Sequence, residues 1–277
     1  MNSGWPKKVK LYEEDCLSGM SKRLKKGTVD IVVTSPPYNI GVKYSRYKDN
    51  LPLDDYLKWL VKWGEQVNRV LNDSGSLFLN IGSKPSAPDI PFRVQEALSD
   101  VFHLQNVIHW IKSIYIESNG YGDSQSINVG HYKPINSKRF LNDTHEYVFH
   151  FTKAGNNDID RLALGVPYKD QTNIKRWKSG GSKLRCRGNC WFVPYETIQK
   201  RATDRPHPAS FPPQLAENCI RLHGLNKNLT VLDPFMGIGN TGLACRKLGT
   251  AFVGFEIDPV YFKSAEGLIL NGACEKA

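Results

Sequence analysis

The chain has no long apolar run and no leader-like start, so neither a membrane span nor a secretory segment is expected among its 277 residues. Cysteine is scarce. Cys16, Cys186, Cys190, Cys219, Cys245 and Cys274 show no disulfide-framework spacing, which points to a reducing, cytoplasmic setting. Cys186 and Cys190 have no second cysteine pair near them, so a four-ligand zinc site is not expected. The seven histidines do not cluster either, and no metal is expected.

Acids are also in short supply. Asp and Glu number 27 against 37 Lys and Arg, and the net charge of +10 calls for an anionic partner, of which a nucleic-acid duplex is the most demanding. The excess is local. Residues 155–206 hold six of the ten net charges in under a fifth of the length, with Lys175, Arg176, Lys178, Lys183, Arg185 and Arg187 at their centre. Around Trp177 and the pair Gly180-Gly181, bases and an aromatic ring interleave as in a segment that reads a DNA groove.

The first motif follows the apolar run Val29 to Val33. Thr34-Ser35-Pro36-Pro37-Tyr38 reads as a rigid turn at the carboxyl end of a buried strand, the end at which open α/β sheets bind ligands. Each proline lacks an N–H and fixes φ, which leaves the Ser35 and Pro36 carbonyls available as acceptors. Acceptors beside an exocyclic ring amine would favour a pyramidal nitrogen and stabilise the positive charge that develops on it. Tyr38 would hold the ring by stacking. A plain strand-ending turn with Tyr38 in the core satisfies the same residues, so a second site has to decide.

That second site lies near the other end of the chain. Leu229 to Leu232 reads as a strand, Asp233 to Gly242 as a glycine loop, Leu243 to Leu248 as a helix, and Ala251 to Phe255 as a strand ending at Glu256. Such a βαβ unit brings an acid to a ribose diol, so an adenosine-containing cofactor is expected. Gly237, Gly239 and Gly242 also match the dinucleotide spacing, which keeps an NAD-dependent oxidoreductase open as an alternative. Against it, only 21 residues follow Glu256, and Asp233 and Phe235 stand where a pyrophosphate would want backbone donors.

Together these segments resemble the amino-group DNA methyltransferases, with the motif order of their β group. Asp15-Cys16-Leu17, Phe140 to Phe151 and His207-Pro208-Ala209-Ser210-Phe211-Pro212 are similar to three further segments of that family. The resemblance implies a Rossmann-like, doubly wound, mostly parallel α/β sheet in circularly permuted order. It implies residues 1–154 as the catalytic half, 155–206 as a target-recognition insert and 207–277 as the cofactor-binding half. S-adenosyl-L-methionine is the implied cofactor, held by Asp15, Cys16, Phe211, Asp233, Phe235, Gly237, Gly239, Asn240, Thr241 and Glu256. Double-stranded DNA is the implied partner, its target base flipped out against Ser35, Pro36, Pro37 and Tyr38. A homodimer and a cognate restriction endonuclease belong to the same set of expectations, as does a bacterial, archaeal or phage origin. In the resembling family a serine at the position of Ser35 tends to accompany methylation of cytosine N4 and an aspartate that of adenine N6. Cytosine N4 is thus the first expectation and adenine N6 the alternative.

The remaining pattern predicts alternating helices and strands. A helix capped by Asp54 or Asp55 carries Tyr56, Leu57, Leu60, Val61, Val67, Val70 and Leu71 at helical spacing and ends at Asn72 to Gly75. Leu77 to Ile81 is a strand, Phe92 to Phe102 a helix and Gln105 to Ile111 a strand. From Ser113 to Thr144 no period is visible, and this segment is read with Gly41 to Leu53 as DNA-facing. Lys112, Lys133, Lys138 and Arg139 are its phosphate candidates, and Tyr115, Tyr121 and Tyr132 its stacking candidates.

Overall fold

The computed structural model describes residues 8–44, 46–118, 125–130, 136–170, 172, 174, 183–194, 210–226 and 228–271. Its main sheet runs in the order β1 (Val9–Glu13), β12 (Ala251–Glu256), β11 (Thr230–Asp233), β2 (Val29–Thr34), β3 (Leu71–Ile81), β7 (His145–Thr152), β4 (His103–Ile111), β10 (Cys190–Phe192). Of these strands only β7 is antiparallel to its neighbours, so the expected mostly parallel α/β sheet is present.

Strand residues alternate between two cores, one on each face of the sheet. Val32, Leu77, Leu79 and Phe255 face α1 (Cys16–Arg23), α2 (Leu53–Val70) and α3 (Ile90–Leu98). Ile31, Val33, Phe78 and Phe252 face α4 (Pro213–His223), α5 (Asn240–Leu248) and α6 (Pro259–Asn271). The doubly wound reading follows directly. In α2 the stripe Tyr56, Leu60, Trp63, Val67, Val70 is fully buried, and each aliphatic member contributes about 1.5–3 kcal/mol.

Local expectations needed three corrections. Pro52, not an aspartate, stands at the N-cap of α2; Asp54 and Asp55 lie in its first turn, where they oppose the positive end of the helix dipole. The turn Asn72 to Gly75 does not separate α2 from β3. It is absorbed into β3 as an irregularity, since pairing jumps from Val29–Leu71 to Ile31–Ser76. Within the stretch from Ser113 to Thr144, β5 (Ile114–Ile116) and β6 (Ile127–Val129) form an antiparallel ladder that three-residue strands are too short to announce by period. Among the described residues of the expected insert, β8 (Val166–Pro167) pairs with β9 (Leu184–Arg185), and β10 is an edge strand on β4, with Trp191 and Val193 in the core.

Candidate active site

Strands β2 and β11 are neighbours, with Ile31 opposite Val231 and Val32 opposite Leu232. After β2 the chain passes to α2 on one face; after β11 it passes to α5 on the other. The carboxyl ends of these two strands therefore form a topological switch point, where α/β sheets open a crevice. Two motifs far apart in sequence become adjacent there. Thr34 Oγ1 donates to Asp233 Oδ1 at 2.6 Å, and Thr241 Oγ1 donates to Asp233 Oδ2 at 2.6 Å.

The crevice spans about 1010 Å³ with its open mouth included. Asp15, Cys16, Phe211, Asp233, Phe235, Gly237, Asn240, Thr241 and Glu256 all line it, together with Ser35 and Pro37. Several also hold the walls. Asp15 caps α1 by accepting from the Ser18 N–H at 3.0 Å, and Asn240 Nδ2 donates to the Phe211 carbonyl at 2.6 Å. Glu256 accepts from the N–H groups of Gly237 and Asp258 at 2.8 and 2.9 Å, which fixes the glycine loop against β12.

Gly239 does not line the crevice. It is the N-cap of α5 at φ 92°, and a Cβ there would stand 2.7 Å from Ile269 Cδ1 and 3.2 Å from Ala265 Cβ. Glycine is required at this position for helix packing and backbone conformation.

Burial sets the protonation chemistry of the crevice. Desolvation pushes the Glu256 carboxyl up to about 7 and that of Asp233 up to about 6, although both accept backbone hydrogen bonds. The Cys16 thiol is raised well above its ordinary value, chiefly by desolvation and then by Asp15. A thiol kept protonated in this way is no nucleophile.

One wall was not visible in the sequence. Tyr44, Arg46 and Tyr47 line the crevice together with Trp59 of α2, so the segment from Gly41 to Leu53, expected to face DNA, turns inward at its tyrosines and Arg46. Buried Asp49 accepts from the N–H groups of Asn39, Ile40 and Val42 at 2.7, 3.2 and 2.9 Å, and this folds the segment back. Trp59 in turn packs on Phe235, with ring centroids 5.7 Å apart. The only signal was the aromatic density of Tyr44, Tyr47 and Trp59 next to the Pro-Pro turn.

The Ser-Pro-Pro-Tyr lip rests on polar side chains from β3 and β7. Tyr38 does not line the crevice; its hydroxyl donates to Glu146 Oε2 at 2.9 Å and lies 2.8 Å from Ser35 Oγ. Asn80 Nδ2 approaches Tyr38 Oη at 2.6 Å and Glu146 Oε2 at 2.8 Å. Lys112, expected at a phosphate, pairs with Glu146 Oε1 at 3.0 Å. Tyr56 Oη donates to the Pro37 carbonyl at 2.8 Å. Gly82 leaves room for the cluster, since a Cβ there would stand 2.8 Å from the Tyr38 ring and 3.1 Å from the Glu146 side chain.

Of the basic residues, Lys183 and Arg185 are exposed, Arg185 on the short strand β9. Arg187 is partly an anchor, its Nε donating to the Leu164 carbonyl at 3.0 Å. Lys175, Arg176 and Lys178 lie outside the described residues, as do Tyr121, Tyr132, Lys133 and the segment His207 to Ala209. Among the described residues no group of three or more His, Cys, Asp or Glu is placed to hold a metal ion, and no helix is long and apolar enough to cross a membrane.

Fold and crevice together define the class, a Rossmann-like α/β enzyme of the methyltransferase type. The chain matches the N6/N4 DNA methylase family over residues 29–267 and belongs to it. Among curated relatives, the type II methyltransferase M.BglII of Bacillus subtilis is 30% identical over 276 residues, covering 94% of this chain and 69% of the relative. Among solved structures, PvuII DNA methyltransferase (cytosine-N4-specific) superposes with a TM-score of 0.67 at 20% identity, covering 95% of this chain and 93% of that one. TTHA0409 of Thermus thermophilus, complexed with S-adenosyl-L-methionine, gives 0.62 at 21%, with 96% and 95% covered. None of these findings points to the NAD-dependent oxidoreductase that the glycine spacing had kept open.

Proposed function

We propose that this methylase transfers a methyl group from S-adenosyl-L-methionine to the exocyclic N4 amine of a cytosine flipped out of duplex DNA. The observation that carries the reading is the meeting of the Ser35 lip and the glycine loop at one switch-point crevice. The residues present fit the cofactor. Glu256 ends β12 with an acid toward a ribose diol, Phe211 and Phe235 supply apolar faces for adenine, and the buried Tyr47 hydroxyl is without a partner among the described residues. Asp15, Cys16, Asp233, Gly237, Asn240 and Thr241 complete its walls, while Gly239 supports them from behind. When bound, the cofactor supplies an electrophilic methyl group.

The chain's own residues do the rest. Ser35 Oγ and the Pro36 carbonyl accept hydrogen bonds from the target amine, disfavour its planar conjugated form and stabilise the positive charge that develops on nitrogen. Pro37 stiffens the turn. Tyr38, its hydroxyl fixed by Glu146 and Asn80, presents its ring as a stacking plane. Base flipping costs about a few kcal/mol, which contacts from Lys175, Arg176, Lys178, Lys183 and Arg185 to the duplex offset, with Arg187 bracing the segment. Cys16 takes no covalent part, as the amine attacks directly.

Cytosine N4 is the first reading because, in the resembling family, a serine at the position of Ser35 tends to accompany it. Adenine N6 is the second reading, supported by a family that spans both reactions. Residues 155–206 carry target recognition between a catalytic half, 1–154, and a cofactor half, 207–277, in circularly permuted order. The restriction–modification names of the relatives support a bacterial cytoplasmic enzyme acting beside a cognate endonuclease, and dimerisation belongs to the same reading. Incubation with tritiated cofactor and mixed DNA, followed by nucleoside separation, tests the reading: label on N4-methylcytosine supports it, and label on N6-methyladenine alone overturns the cytosine assignment.

A further inference from the structure

The proposed reaction needs Ser35 to accept a hydrogen bond from the target amine, yet a serine hydroxyl can equally point its proton at the substrate and repel that amine's N–H. Something has to set its direction. The cluster behind the lip contains the groups that can do so.

Donors and acceptors can be counted from Glu146 outward. Glu146 pairs with the Lys112 ammonium through Oε1 at 3.0 Å, and as a carboxylate it only accepts. Tyr38 has a single hydroxyl proton, and Glu146 Oε2, 2.9 Å away, receives it. Asn80 Nδ2 has two hydrogens, one for Tyr38 Oη at 2.6 Å and one for Glu146 Oε2 at 2.8 Å. The reversed Asn80 amide would set its carbonyl oxygen against the carboxylate, so its orientation is fixed. Both amide hydrogens are then committed, and the 3.5 Å approach of Asn80 Nδ2 to Ser35 Oγ is no third hydrogen bond.

The contact between Ser35 Oγ and Tyr38 Oη, 2.8 Å, could have either atom as donor. Tyr38 has already given its proton to Glu146. Ser35 must therefore donate to Tyr38, which leaves the Ser35 lone pairs for the crevice that this residue lines. We infer that Glu146, acting through Tyr38, is a positioning residue that holds the Ser35 hydroxyl in its accepting direction and so makes the lip selective for an amine over a carbonyl. Recognition at the 4-position of a pyrimidine is thereby biased toward N–H and against C=O.

Glu146→Gln removes the carboxylate that takes the Tyr38 proton without emptying the site. Lys112 keeps the amide oxygen at the position of Oε1, so the new NH₂ faces both Tyr38 Oη and Asn80 Nδ2. The Asn80 amide is then free to turn over and Tyr38 is free to give its proton to Ser35, so the Ser35 hydroxyl loses its fixed accepting direction. The expected result on plasmid DNA with tritiated S-adenosyl-L-methionine is a kcat lower by on the order of 10²–10³, comparable with removal of one preorganised polar group that faces developing charge. The cofactor Kd should stay within about twofold, because the charge removed is not part of the crevice wall. Ser35→Ala should fall similarly, and Ser35→Ala/Glu146→Gln no further than Ser35→Ala alone.

A kcat for Glu146→Gln within about threefold of wild type overturns the inference. So does a double variant whose loss is the product of the two single losses, as a merely structural Glu146 would give. Should Glu146→Gln fail to fold, Tyr38→Phe cuts the same chain in the middle and keeps the pairing of Glu146 with Lys112 and Asn80. The same kcat loss, absent in the Ser35→Ala background, is then expected, and full activity refutes the inference. Wild-type enzyme runs alongside. No label in DNA from wild type refutes the proposed methyl transfer and this inference with it, whereas transfer by wild type and Glu146→Gln alike refutes this inference alone.

Discussion

Glu256 gives a prediction that can be worked through from its surroundings. Its carboxyl is raised to about 7, first by desolvation, against the opposing pull of the Asp258 and Gly237 N–H groups. A ribose diol and a cationic tail both prefer the ionised form, so cofactor binding draws on the carboxylate fraction. Because the value is raised, that fraction is about half near pH 7, falls below it and approaches completion only well above it. At pH 6 roughly a tenth of the molecules carry the charge, and at pH 8 roughly nine tenths. Affinity for S-adenosyl-L-methionine should therefore weaken by roughly tenfold, or about 1.4 kcal/mol, from pH 8 to pH 6. Titration calorimetry on wild type and Glu256→Gln at pH 6, 7 and 8 measures this, and their ratio cancels the titration of the ligand itself. A wild-type to variant ratio that is flat across this range refutes the reasoning.

Other predictions concern the frame of the site. Asp233→Ala strands the buried hydroxyl of Thr34 and the Phe235 N–H, and a denaturant titration should show a loss of about 2–4 kcal/mol. Gly239→Ala forces a Cβ against Ile269 at φ 92°, with an expected loss of about 2–4 kcal/mol in the same assay. Its effect on cofactor affinity should be smaller than that of Glu256→Gln if Gly239 is a packing residue. Lys183→Glu with Arg185→Glu should weaken duplex binding. The salt slope, read by fluorescence anisotropy across a salt series, should fall by about one for every phosphate that the variant no longer meets.

Much of the frame was legible because it is written locally. The apolar runs of β2 and β11 each end in chemistry that only a turn tolerates, two prolines in one case and a glycine loop in the other, so both motifs could be placed at strand ends. What their adjacency requires is sheet order, and the link from Thr34 to Asp233 spans 199 positions that no local pattern reports. The meeting of Asn80, Lys112 and Glu146 behind the lip escapes the sequence for the same reason, and Lys112 was read as a phosphate contact instead. Each is a single polar residue at the end of an apolar strand, and they meet only because β7 runs antiparallel between β3 and β4, with Ile81 opposite Tyr147 and Trp110 opposite Glu146. Gly239 adds a constraint that spacing alone does not report: Ile269, thirty positions later, leaves no room for a side chain there.

The central claim is transfer of a methyl group to an exocyclic amine of DNA at the Ser35 lip. Wild type and Ser35→Ala, each incubated with tritiated S-adenosyl-L-methionine and mixed DNA and digested to nucleosides, test it directly. Label on N4-methylcytosine with wild type, lowered by on the order of 10²–10³ in Ser35→Ala while the cofactor Kd is kept, is the predicted result. Label confined to N6-methyladenine contradicts the cytosine assignment, and undiminished transfer by Ser35→Ala contradicts the account of the site.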